Sequence, residues 1–90
     1  MDILFKPTFI KDFKKLPRKI KEKVRDLCLK DFVLINDLKD FKRFQIKPIK
    51  NFRGYYRIKL DNYRIGFKKT NGKIIFMRIK HRKDIYRYFP

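Results

Sequence analysis

Residues 56–68 read YRIKLDNYRIGFK, and this stretch decides the fold. Apolar and cationic side chains alternate with a period of two on both sides of residues 61–62, which is the pattern of two half-buried strands joined by a two-residue turn. One face of the predicted hairpin is therefore apolar and the other is cationic. The register that this turn sets pairs Lys59 with Arg64, and Arg57 with Gly66.

A second hairpin is predicted around Asn71-Gly72, followed by a strand over residues 73–81. A strict two-residue turn would pair Phe67 with Phe76 and direct Arg78 toward the core. We therefore expect a longer loop with a glycine bulge, which keeps the cations outward. The cations expected on the outer face of the sheet are Arg57, Lys59, Arg64, Lys68, Arg78 and Lys80.

The N-terminal third of the chain indicates one short strand and two helices. Residues 3–5 are apolar and β-prone, and Pro7-Thr8 ends them, with Thr8 in the position of a helix N-cap. Apolar residues then recur at helical spacing on both sides of Pro17, which divides them into a helical hairpin. Cys28 falls on the apolar face and is predicted to be a small core residue.

The chain is predicted to be a single domain, residues 1–90, of the α+β class. A short N-terminal strand and a helical hairpin pack on one face of a twisted antiparallel β-sheet, and the chain ends in a short helical turn. Residues 33–55 give no firm expectation beyond an extended piece that ends at Pro48 and a basic loop that follows it.

The charge balance favours a polyanionic partner. The chain has 27 Lys and Arg against 9 Asp and Glu, a net charge of +18. Residues 1–40 hold 11 basic and 7 acidic side chains, and residues 41–90 hold 16 and 2, so the charge is concentrated in the predicted sheet. Nucleic acid is the partner class that this distribution favours.

Other features of the composition bear on the compartment of the protein, its cofactors and its association with membranes. The chain has one cysteine, so it cannot form an internal disulfide or a thiolate metal site, and we expect a cytoplasmic protein without metal or other cofactor. No apolar run is long enough to span a bilayer, and we expect no membrane partner.

A cationic sheet face bordered by tyrosines is better suited to single-stranded RNA than to duplex DNA. The sequence has no helix-turn-helix, zinc-finger or basic-zipper pattern, whereas exposed tyrosines can stack on splayed bases. Tyr86 lies among cations and is the tyrosine expected to do so. The cations expected to bind the RNA backbone are Lys80, Arg78, Lys68, Lys50, Arg53 and Lys47.

RNA cleavage is compatible with these residue types, because the 2′-OH is a built-in nucleophile. A cleaving protein has to align that hydroxyl, take its proton and stabilise the charge on phosphorus, and Arg and Lys can fill these roles. His81 is an alternative base, although its strand parity points to the core side. The chain has no serine, and Asp61 and Asp84 are explained by a turn and a helix start, so serine and carboxylate chemistry are unsupported.

Four motifs in this order resemble the RelE/ParE superfamily of toxins from type II toxin-antitoxin modules, and the likeness is greatest to compact archaeal-type RelE proteins. They are Phe13-Lys14-Lys15-Leu16-Pro17, Tyr56-Arg57-Ile58-Lys59, Asn62-Tyr63-Arg64-Ile65 and His81-Arg82-Lys83-Asp84-Ile85-Tyr86. The resemblance implies a RelE-like fold and a metal-independent endoribonuclease, an mRNA interferase that cuts mRNA in the ribosomal A site through its 2′-OH.

The resemblance also implies catalytic roles for Arg57, Lys59, Arg64, Arg82 and Tyr86. Arg64 and Arg82 would bind the scissile phosphate, and Tyr86 would stack on or orient the nucleotide. Because arginine is a poor base, Lys59 rather than Arg57 is the expected proton acceptor. Lys80 is an alternative to Arg82 as the phosphate-stabilising residue.

The implied partners are a small, acidic, helical antitoxin, mRNA, and the rRNA of a 70S-type ribosome. Two other functions are compatible with the sequence. A ParE-like protein would share the scaffold and inhibit DNA gyrase, and a non-catalytic RNA-binding protein would need only the cations. The five residues assigned to catalysis favour the nuclease.

Overall fold

The strands form one five-stranded sheet in the computed structural model, which describes residues 1–90. They lie in the order β1-β5-β4-β3-β2 across the sheet, so the hairpin predicted from residues 56–68 occupies its interior. The bounds of the strands are β1 Asp2–Phe5, β2 Gln45–Pro48, β3 Tyr55–Leu60, β4 Tyr63–Thr70 and β5 Lys73–His81.

Four α-helices accompany the sheet, and none has the length and apolar character needed to cross a membrane. A π-helical turn, Leu27–Asp31, links the second helix to the third. The predicted α+β class, helical hairpin and C-terminal helical turn are confirmed. The bounds of the helices are α1 Pro7–Lys14, α2 Arg18–Asp26, α3 Phe32–Leu34 and α4 Ile85–Tyr88.

The edge strand β1 runs parallel to β5, with Asp2 opposite Lys73 and Phe5 opposite Phe76. All other strand pairs are antiparallel, so the sheet is mixed rather than wholly antiparallel as expected. Parallel pairing needs a long crossover connection, and here the chain between the two strands supplies it.

The first hairpin has the register predicted from sequence. Leu60 pairs with Tyr63, and the two residues between them form the turn. Asp61 has a φ of 53°, a left-handed conformation that aspartate tolerates better than most residues. The predicted pairs Lys59 with Arg64 and Arg57 with Gly66 are present.

The longer loop predicted for the second hairpin is wrong. Thr70 pairs with Lys73, so residues 71–72 form a two-residue turn, and Phe67 does pair with Phe76. The register shifts between Gly66 and Phe67, which leaves Met77 as an extra residue on β5. This bulge lies within the strand, and it returns the following cations to the outer face.

Helix α1 begins at Pro7, and the prediction that Thr8 caps it is wrong. Lys6 occupies the N-cap position, and proline is at the first helical position, where its missing N–H costs nothing. The Thr8 hydroxyl instead donates to the Met77 carbonyl, 2.8 Å away. The helix is therefore fixed to the free edge of β5 beyond β1.

The core lies between the helices and the inner face of the sheet. Phe32 is fully buried and its ring contacts those of Phe41, Phe67 and Phe76 at centroid distances of 4.9–5.5 Å. Cys28 belongs to this core as predicted, and burial raises the pKa of its thiol. The apolar side chains of β3 and β4 pack in this core. Because side chains alternate along a strand, the cationic side chains of β3 and β4 lie on the opposite face of the sheet.

Candidate active site

The outer face of the sheet is cationic, as the alternation predicts. Ile58 and Ile65 are buried against the helices, so the residues that alternate with them lie on the other side. Lys47 on β2 pairs with Arg57 and adds another cation to this side. We call this surface the cationic face: Arg57, Lys59, Arg64, Lys68, Arg78 and Lys80, with Lys47 at its edge.

Arg57, Arg64, Arg82 and Tyr86 come together at the end of this face beside the β3–β4 turn, and we call them the arginine cluster. Burial lowers the pKa of the Arg64 guanidinium, and the positive charges of Arg57 and Arg82 lower it further, whereas Tyr86 acts in the opposite direction. The Arg57 guanidinium lies 5.9 Å from the centre of the Tyr86 ring, within the range of a cation–π contact.

Two backbone carbonyls of the turn hold Arg64. Its Nη1 donates to the carbonyls of Asp61 and Tyr63 at 3.0 and 2.9 Å. The Arg82 backbone N–H donates to the Asn62 carbonyl at 2.8 Å, so both arginines are fixed to the same three-residue segment. Arg64 and Arg82 are distant in sequence, and the pairing of β4 with β5 brings them close together.

The cluster has no carboxylate partner. None of the six ion pairs in the structure includes Arg57, Lys59, Arg64 or Arg82. Lys59 is exposed and lies directly across the ladder from Arg64. Like charges in this arrangement repel one another, and a bound anion would relieve the repulsion.

Arg78 and Lys80 have a different environment, because both pair with the carboxylate of Asp12 on α1. The Asp12 carboxylate accepts two hydrogen bonds from Arg78, at 2.9 and 3.1 Å, and a third from the Ile79 backbone N–H. Lys80 Nζ lies 3.2 Å from the same carboxylate. The Tyr88 ring lies against both cations. Arg78 and Lys80, which were expected to bind RNA, therefore have partners within the protein.

Phe89 packs against Gly66 and holds the C-terminal helix on the cationic face. A Cβ added at Gly66 would lie 2.5 Å from atoms of the Phe89 ring, which is almost fully buried. Glycine within a strand often marks such a close approach. The ring fills the space beside Arg57 that the missing side chain of Gly66 creates, and it helps to place Tyr86.

Gly66→Ala should therefore loosen α4. Since the ring face and not a flexible tip blocks the new methyl group, we expect the free energy of unfolding to fall by about 1–2 kcal/mol. The Phe89 N–H, which donates to Ile85, should exchange with solvent faster. A Phe89→Ala background serves as control: there the glycine substitution should cost almost nothing, and an unchanged cost would refute this explanation.

His81 lies on the core side of β5, as its parity predicts. Its Nδ1 accepts a hydrogen bond from the Lys83 backbone N–H at 3.2 Å, and its ring packs edge-on against Tyr63 at 5.7 Å. The imidazole therefore shapes the turn that leads to Arg82 and lies apart from the arginine cluster.

The other cations expected to bind RNA lie outside the cluster. Lys50 and Arg53 are exposed on the loop before β3, and Lys68 lies 5.2 Å from the centre of the Tyr55 ring at the far end of β4. Lys47 is exposed beside Arg57.

The sequence did not predict the roles of Asp12 and Phe89. Only the glycine in β4, Gly66, gave a sign of Phe89, because a glycine within a strand often marks a close approach.

The side chains of the chain contain no group of three or more His, Cys, Asp and Glu residues arranged to hold a metal ion. The positive charge that the side chains bring to this site comes from guanidinium and ammonium groups. Such an arrangement can bind a phosphate bidentately and stabilise added negative charge on it.

This chain matches a known protein family and a known protein in sequence. A sequence model of the family described as ParE toxin of type II toxin-antitoxin system, parDE, matches residues 3–86. Toxin RelE3 of Methanocaldococcus jannaschii is 44% identical over 90 residues, the whole of both chains.

Solved structures agree with the sequence matches. A chain in the RelB-RelE antitoxin-toxin complex from Methanococcus jannaschii superposes with a TM-score of 0.82 and 41% identity, covering 97% of this chain and 99% of that one. A chain of the RelBE2 complex from Mycobacterium tuberculosis, at 20% identity, shares the fold with a TM-score of 0.69 over 90% of this chain and 96% of that one.

The fold and these matches define the class of the protein as a toxin of a type II toxin-antitoxin system. Within that class the chain belongs to the RelE/ParE superfamily and is a RelE homologue. The family resemblance drawn from the four sequence motifs is confirmed.

Proposed function

We propose that this toxin is an endoribonuclease that cleaves mRNA on the ribosome through attack by the RNA 2′-OH. One observation carries the proposal: three guanidiniums and Lys59 converge on one end of an exposed sheet face without a carboxylate partner. Homology to RelE-type toxins supports it. The site is proposed to bind one phosphate of the mRNA backbone.

In the proposed reaction, Arg64 and Arg82 bind the scissile phosphate and stabilise the charge that develops on its oxygens. Lys59, in its uncharged form, takes the proton of the 2′-OH, and Arg57 holds the neighbouring phosphate oxygen. The 2′-oxygen bonds to phosphorus, the bond to the 5′-oxygen breaks, and the 5′-oxygen takes a proton from solvent. Lys59 then returns the proton of the 2′-OH to solvent. The products are a 2′,3′-cyclic phosphate and a 5′-hydroxyl.

Tyr86 is proposed to stack on a base beside the scissile phosphate. Tyr86 is 62% exposed and its ring lies beside the Arg57 guanidinium, so a base can contact it without displacing the core. Arg82 is preferred to Lys80 as the phosphate ligand, because Lys80 already forms an ion pair with Asp12. Lys47, Lys50, Arg53 and Lys68 are proposed to bind the backbone of mRNA or rRNA without sequence preference.

The proposed partner in the resting cell is a small, acidic, helical antitoxin in the cytoplasm. Antitoxin-bound structures of similar toxins support a partner of this kind. The net charge of +18 favours an acidic chain. An apolar groove of about 210 Å³ between α1 and α2, lined by Phe9, Phe13, Val24 and Leu29 among others, could accept an amphipathic helix.

The wild-type protein should cleave mRNA bound to 70S-type ribosomes and leave the same mRNA intact when ribosomes are omitted. Because the proposed charges come from side chains, a chelator that removes transition metals but leaves the Mg²⁺ of the ribosome in place should not slow the reaction. Primer extension locates the cut, and end-group analysis should find the cyclic phosphate. Cleavage of free RNA alone would contradict the proposal, and inhibition of DNA gyrase without cleavage would favour the ParE-like alternative.

A further inference from the structure

The β3–β4 turn organises the arginine cluster through its backbone. The carbonyls of Asp61 and Tyr63 accept the hydrogen bonds of Arg64 Nη1, and the Asn62 carbonyl accepts that of the Arg82 N–H. A small rotation of this turn would therefore move both arginines together. Asp61 is in the left-handed region, so the turn conformation depends on a residue that tolerates it.

One side chain from the helical layer fixes this turn. Lys23 of α2 donates to Asp61 Oδ2 at 2.7 Å, the shortest ion pair in the structure. Both side chains are nearly half exposed, at 45% and 47%, and such pairs add little to stability. Asp61 is the acid nearest to Arg64 in sequence, yet its carboxylate is directed to Lys23 and only its carbonyl accepts a hydrogen bond from Arg64.

We propose that Lys23 and Asp61 are positioning residues for the arginine cluster, and this inference rests on the proposed cleavage function. Their ion pair orients the turn so that its carbonyls hold Arg64 and Arg82 at the phosphate. Neither residue touches the RNA.

The test compares Lys23→Gln and Asp61→Asn with the wild type in two measurements. Asparagine tolerates the left-handed conformation, so the second variant removes the charge without straining the turn. We expect kcat on ribosome-bound mRNA to fall about tenfold and KM to change less than about twofold, because misplacement of bound groups affects the chemical step. Lys23→Arg, which can keep the ion pair, should retain most of the activity.

The second measurement does not need activity. Hydrogen exchange of the Arg82 backbone N–H should become about twofold to fivefold faster in both variants, since its acceptor lies in the loosened turn and the lost ion pair is half exposed. Lys30→Gln is the matched control: it also removes one lysine charge and one exposed ion pair, with Asp26, away from the turn. It should change neither measurement.

Unchanged kcat in both variants would overturn the inference, and so would an equal loss in Lys30→Gln. Reduced kcat with unchanged exchange at Arg82 would also overturn it, because the residues would then act by another route. If the wild type cleaves no mRNA, the proposed function fails by itself, and exchange alone decides the positioning role: faster exchange supports it and unchanged exchange refutes it.

Discussion

Replacing Arg82 by alanine should lower the rate of ribosome-dependent mRNA cleavage by about a hundredfold to a thousandfold, the usual effect of removing one preorganised donor from a developing charge. Arg82 is exposed and makes no ion pair, so the folded state loses little. Arg64→Ala should have a similar effect on cleavage. Both variants should fail to arrest growth when expressed without antitoxin.

Lys83→Ala is the control for Arg82→Ala, because it removes one positive charge from the next residue, whose side chain makes no ion pair. Thermal unfolding should be the same for Lys83→Ala and Arg82→Ala, whereas Arg64→Ala should unfold at a somewhat lower temperature because it loses two hydrogen bonds to backbone carbonyls. Antitoxin binding should be the same for all three variants. Arg82→Lys separates charge from geometry: it keeps the charge but loses the planar fork, and we expect it to recover only part of the rate. Full toxicity of both alanine variants would show that the site is misassigned.

Replacing Asp12 by alanine should lower the free energy of unfolding by about 3 kcal/mol. The substitution leaves Arg78 and Lys80 without their counter-charge and the Ile79 N–H without an acceptor. Removing one partner of a buried ion pair costs about 3–5 kcal/mol, and the lower end applies here because the side chains of Arg78 and Lys80 keep 20% and 23% of their exposure. Urea unfolding measures the change.

Asp26→Ala is the matched control, since its ion pair with Lys30 is exposed and spans 3.7 Å. It should change the free energy of unfolding by less than about 0.5 kcal/mol. Adding Arg78→Met to Asp12→Ala should restore part of the loss, because an apolar side chain does not need the missing charge. Equal stability of the two alanine variants would contradict the structural role assigned to Asp12.

The sequence predicted those parts of the fold that depend on neighbouring residues. The period of two along residues 56–68 and the turn at residues 61–62 determine which side chains face the core, and both are present. The arginine cluster could be anticipated for the same reason, because Arg57, Arg64 and Arg82 lie on or beside adjacent strands. The helical hairpin divided by Pro17 is likewise a local consequence of spacing.

The features that sequence did not predict depend on contacts between distant residues. The parallel pairing of β1 depends on where α1 packs, and the bulge at Met77 depends on a two-residue turn that local charge placement argued against. Asp12 is 66 residues from Arg78, and no pattern in the helix distinguishes it from an exposed acid. Nothing in the sequence around Phe89 indicates that its ring packs on Gly66, and only the structure shows this contact.

The parallel pairing of β1 with β5 also governs when this toxin becomes complete during its synthesis. Residues 2–5 cannot find their place until residues 73–76 have been translated, and Arg82 and Tyr86 are made later still. Such long-range closure folds slowly and leaves apolar surface uncovered in the meantime. The arginine cluster therefore cannot assemble on the nascent chain until residues 82–86 have been made, and the first strand stays unpaired for most of the synthesis.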